Sequence, residues 1–103
     1  MLDSQGRTVL PDEFIERYSI ERGDKISYAY IDAYTYRLYC TDDRPNGVSK
    51  VVGAESTVDE KRRIIVPAVI RKMYPNPNCC IFIEEGENFY LKFLNFQSET
   101  REG

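Results

Sequence analysis

The sequence predicts a mainly β fold with two short helices, built from two tandem copies of one unit. Three observations carry this reading: a self-similar series along the chain, short β-branched runs that end at a proline, and two stretches of strand-forming residues that each flank a tight turn. The 103 residues are enough for one compact domain and too few for two independent ones, so the copies have to share a core. Eight tyrosines and many branched residues lean the same way, because such side chains pack well on a pleated surface.

The series opens with residues 3–11, DSQGRTVLP, matching residues 59–67, DEKRRIIVP. The offset of 56 holds through Phe14 against Ile70 and Tyr18 against Tyr74. It then falls to 53, which aligns Tyr28 with Ile81, Tyr36 with Phe89 and Leu38 with Leu91. Identity is low, but residue type and order agree over most of the chain. The units are therefore read as a first copy (1–41), a linker and leader strand (42–56), a second copy (57–97) and a tail (98–103).

Each copy is legible element by element. Residues 8–10 and 64–66 read as short strands that stop at Pro11 and Pro67. Proline suits the first helical position, where its missing N–H has no intrahelical partner to lose. Asp12 and Glu13 then complement the helix dipole, with Phe14 and Tyr18 on one face. In the second copy the equivalent pairs are Val69 with Met73 and Ile70 with Tyr74, and Pro75 is expected to end the helix. Helices this short depend on tertiary packing. Strands over 26–31 and 35–40 form one predicted hairpin around Asp32-Ala33-Tyr34. Strands over 79–83 and 88–93 form the other, around Glu85-Gly86-Glu87. Residues 42–47 read as a linker turn, Val51 and Val52 as the start of a leader strand, and 98–103 as a frayed tail.

Composition excludes more than it selects. No signal peptide and no membrane span is legible, which places the protein in the cytoplasm. Cys40, Cys79 and Cys80 form an odd set in a chain without histidine, so neither a disulfide framework nor a zinc site is expected, and no cofactor is called for. Without histidine, a phosphate-binding glycine loop or a nucleophile beside a base, an enzyme is not expected. The net charge is -3, yet residues 59–72 carry five basic side chains and only two acidic ones. An anion-binding face should involve that segment.

A strand with Asp-x-x-Gly-Arg and a following proline, then a short helix, a Gly-Asp turn and a hairpin, resembles the AbrB/MraZ/SpoVT swapped-hairpin family. Asp3, Gly6, Arg7, Pro11, Gly23 and Asp24 carry the pattern in the first copy, and Asp59, Arg63 and Pro67 in the second. Two copies in one chain look most like the MraZ arrangement. The resemblance implies a pseudo-two-fold swapped-hairpin β-barrel that binds double-stranded DNA as a homodimer or larger assembly and regulates transcription. Carried over by position, it nominates Arg7, Arg63, Arg71 and Lys72 as DNA contacts, and the charge run adds Lys61 and Arg62. The first-copy equivalents of Arg71 and Lys72 are Ile15 and Glu16, so the second copy is expected to be the main reading head.

Two readings stay open at the level of sequence. Asp3 with Arg7, and Asp59 with Arg63, are either internal forks that shape the turn or DNA contacts, and one does not exclude the other. The chain is either a DNA-binding regulator or a protein-interaction module on the same fold, the latter using the acidic first half and the tyrosine-rich hairpin.

Overall fold

The computed structural model describes residues 2–94, so the expected tail and the last residues of the second copy lie outside the described residues. The first copy supplies β1 (Arg7–Val9), α1 (Asp12–Tyr18), β2 (Lys25–Asp32) and β3 (Thr35–Cys40). A 3-10 turn (Thr41–Asp43) and β4 (Val51–Thr57) lead into the second, which supplies β5 (Arg63–Ile65), α2 (Ala68–Arg71), β6 (Cys80–Glu85) and β7 (Asn88–Phe93). The chain is mainly β with two short helices, as its sequence predicts.

The strands form a two-stranded ribbon, β1-β5, and a five-stranded sheet in the order β4-β2-β3-β7-β6. Both sheets are open, so the expected closed barrel is not formed by backbone pairing. The ribbon strands are three residues long and pair as strands only with each other, so among the described residues no backbone ladder joins them to the larger sheet.

Every pairing between the copies is antiparallel and joins equivalent positions. Thr8 faces Ile64 in the ribbon, and Arg37 faces Tyr90 where β3 meets β7. These are the residues matched by the two sequence offsets, so exchanging the copies maps each pairing onto itself. Isolated backbone bonds repeat the pattern. The amide of Leu10 donates to the Arg62 carbonyl and that of Val66 to the Gly6 carbonyl, each at 3.0 Å. Leu2 donates to Asn78 at 3.3 Å, and Val58 to Asp24 at 2.9 Å. Each leader is therefore tied to the approach to the other copy's hairpin.

The core follows from this exchange. Phe14 of α1 packs edge-on against Phe89 of β7 with ring centroids 5.1 Å apart. Tyr74, beyond α2, stacks on Phe93 at 4.4 Å and donates its hydroxyl to the Ala33 carbonyl at 2.8 Å. Tyr28, Tyr36 and Leu38 are buried, so most of the tyrosine alternation is core packing. Cys40 and Cys80 are buried and Cys79 half-buried, all three as free thiols.

Several boundaries depart from the sequence reading. Pro11 and Pro67 are extended N-cap residues, one position before the helices they introduce. The second helix ends at Arg71 and not at Pro75, because Met73 and Tyr74 turn back to Ile70 and Arg71 in tighter three-residue steps. Val69 and Met73 are exposed, so only the Ile70 and Tyr74 pair faces the core. The leader strand begins at Val51 as expected, and β4 covers the outer edge of β2 over seven residues.

One polar chain crosses from the large sheet to the ribbon. The Tyr28 hydroxyl lies 2.6 Å from Ser56 Oγ, which donates to the Ile65 carbonyl at 2.6 Å. Serine has one proton to give, so Tyr28 is the donor in the first bond. Ser56→Ala should cost about 1–3 kcal/mol in urea unfolding by stranding a buried phenol. Adding Tyr28→Phe should then cost little more, which a double-mutant cycle reads directly.

Candidate nucleic-acid interface

Each Asp-x-x-x-Arg segment folds on itself before it reaches the ribbon. Asp3 Oδ1 accepts the amides of Gln5 and Arg7 at 2.9 Å each, and Oδ2 accepts Arg7 Nε at 2.8 Å. Asp59 repeats this with Lys61 and Arg63 amides at 2.8 Å each and with Arg63 Nε at 2.9 Å. A short carboxylate bonding the backbone two residues on is the favoured chemistry for such a turn. The fourth residue takes a left-handed conformation, at φ 80° for Gly6 and 60° for Arg62. Glycine accepts that backbone freely, and arginine does so under strain.

The ribbon then sorts its side chains by alternation. Thr8 and Ile64 point into the core, while Val9 and Ile65 are 59% and 51% exposed. In register, Arg7 lies opposite Ile65 and Val9 opposite Arg63. The outward face thus carries two arginines and two apolar residues in a diagonal pattern. The Asp carboxylates hold both guanidinium groups through Nε, and their Nη atoms have no hydrogen-bond partner among the described residues. Half-exposed ion pairs of this kind contribute little stability, so their effect is to fix direction. Both proposed roles of these arginines are therefore geometrically compatible.

The remaining nominated residues divide. Lys61 and Arg62 are exposed on the second turn, alongside Leu10 and the start of α1. Lys72 is exposed as the C-cap residue of α2. Arg71 is committed internally, with Nε donating to the Val66 carbonyl at 2.7 Å. Its guanidinium lies across Gly6, where a Cβ would sit 2.8 Å from Arg71 Cζ. Gly6 is thus required twice, by its backbone and by this close approach. The basic residues of the second copy do not gather at one place, because the exchange of strands sends them to both ends of the ribbon.

The Gly6–Arg71 contact was not foreseen, although a signal was present. Where the first copy has Gly6 and the second Arg62, the opposed helix positions hold Arg71 and Ile15. The larger side chain on the helix accompanies the glycine on the turn. Among the described residues no group of His, Cys, Asp or Glu is arranged to hold a metal ion.

Comparison of the chain with protein-family models, with curated proteins and with solved structures finds no match.

The turns titrate. The Arg7 amide, with its guanidinium in support, holds the Asp3 carboxyl at about 2 against an ordinary 3.8. The Arg63 amide lowers Asp59 in the same direction. A depressed folded value means the unfolded chain binds more protons, so this stabilisation is complete above the ordinary value and is lost as pH falls through the folded one. The urea midpoint should therefore decline between about pH 4 and pH 2. Asp3→Asn with Asp59→Asn should flatten that part of the profile.

Proposed function

We propose that the chain is a DNA-binding transcriptional regulator of the AbrB/MraZ type that presents the β1-β5 ribbon to double-stranded DNA. The carrying observation is the outward ribbon face, where Arg7 and Arg63 are braced by Asp3 and Asp59 with their Nη groups uncommitted. A two-stranded ribbon has the dimensions to enter a major groove, and arginine forks read guanine edges there. Val9 and Ile65, beside them, suit thymine methyl groups. Lys61, Arg62 and Lys72 flank this face and supply phosphate contacts. Arg71 acts by positioning the first turn.

In the same reading the two open sheets are a splayed form of the swapped-hairpin barrel, supported by the symmetric registers of the two inter-copy pairings. Two chains act together in the cytoplasm, because five available cations per chain in a net-acidic protein offer few phosphate contacts. No helix among the described residues is long and apolar enough to cross a membrane.

A second reading, a protein-interaction module, is favoured by one observation. Val9, Ile65, Val69 and Met73 are exposed apolar side chains on or beside the ribbon, and a protein partner would also cover them.

Arg62→Gly separates DNA binding from stability. Glycine relieves the left-handed strain, so stability should hold or rise by about 0.5–1 kcal/mol. Duplex DNA affinity should fall in fluorescence anisotropy, and the log–log salt slope should drop by about 0.9 for each phosphate that the variant leaves without a cation. Absence of binding by the parent protein at low salt would move the assignment to the protein-interaction reading.

A further inference from the structure

The two copies place a tyrosine at the end of each helix, and the structure treats them differently. Tyr74 fills its position, stacked on Phe93 with its hydroxyl bonded to the Ala33 carbonyl at 2.8 Å and to Tyr36 at 3.0 Å. At the equivalent place Phe89 stands for Tyr36, and the Tyr18 hydroxyl has no hydrogen-bond partner among the described residues. A cleft of about 200 Å³ opens there, lined by Arg17, Tyr18, Arg37, Asp43, Pro45 and the Glu87-Asn88 turn.

The donors in this cleft exceed the acceptors they meet. Arg37 Nε is buried without a hydrogen-bond partner, while its Nη2 is held by Asn88 Oδ1. Arg17 sits over the Phe89 ring at 5.8 Å and donates one Nη1 bond to the Glu87 carbonyl at 3.0 Å. Neither guanidinium forms an ion pair among the described residues, although Asp43 and Glu87 line the same cleft. Arg37 Nε itself is closed off from the cleft. An oxyanion there would therefore pair with the guanidinium nitrogens of Arg17 and Arg37 that hold no partner among the described residues, a charge-assisted contact.

We infer that this cleft binds a small carboxylate ligand, held by Arg17 and Arg37 with the Tyr18 hydroxyl as a third donor. The volume lies below the roughly 300 Å³ at which pockets for larger ligands begin, so the occupant is small. The carboxylates of Asp43 and Glu87 balance the two guanidiniums, so the lining carries no net charge, which disfavours a multiply charged phosphate and suits a singly charged carboxylate or an amino acid. The site joins the first copy to the β6-β7 turn of the second, so its occupation stabilises the association of the two. It is separate from the ribbon and does not rest on DNA binding.

Thermal unfolding with acetate, succinate, glutamate and inorganic phosphate, each against sodium chloride at matched ionic strength, tests this. A carboxylate should raise Tm by several degrees in a saturable way at about 100 times its Kd. Tyr18→Phe keeps the ring against Phe14 and removes only the hydroxyl, so it should leave the ligand-free Tm in place and weaken binding about 5- to 10-fold. Arg17→Gln should abolish the shift. No shift with any carboxylate, an equal shift with chloride, a response to phosphate alone, or an unchanged shift in both variants would overturn the assignment.

Discussion

The pairing of Thr8 with Ile64, and the strand exchange that it anchors, is the constraint from which the rest of the structure follows. A three-residue strand cannot form a sheet alone, and a two-turn helix cannot persist without a surface to pack on. Each copy has both. Pairing the two short strands across one point, and the two hairpins across another, lets Phe14 of α1 lean on β7 and Tyr74, beyond α2, reach Ala33 and Tyr36. The buried side chains of both copies form one shared cluster. The Tyr28–Ser56–Ile65 chain then locks the ribbon to the large sheet by buried hydrogen bonds, which gives the ribbon a fixed outward face.

That same exchange redistributes charge. Along the sequence, five of the six nominated DNA contacts belong to the second copy and only Arg7 to the first, which suggests a single reading head. In space the Arg62 carbonyl meets Leu10, just before α1, and Arg71 lies across Gly6 on the first turn. A lopsided sequence thus yields a more even ribbon. The asymmetry that remains is elsewhere, at the two helix-end tyrosines, where one site is filled by aromatic packing and the other is a polar cleft.

The succession of strands and helices along the chain and the two hairpin turns were legible because they rest on local patterns: alternation, turn residues and a proline after each short strand. The start of β4 at Val51 was legible too, but its place on the edge of β2 was not, because pairing between strands distant in sequence leaves no local signal. The end of α2 was misread because Pro75 is a strong local stop, whereas the chain had already turned at Met73. For the site, the Asp–Arg forks were read correctly as an option, since four residues around a tight turn bring those groups together. The internal role of Arg71 depends on a glycine 65 positions away, and no local pattern reports that.

Whether the ribbon face meets DNA is tested most directly by amide chemical-shift mapping of the ¹⁵N-labelled protein with a short duplex at low salt. Perturbations are expected at residues 3–9 and 59–66, with Lys72 included and the β2-β3 hairpin silent. Shifts centred on Tyr30, Ile31 and Tyr34, or none at all, would contradict a DNA-binding ribbon.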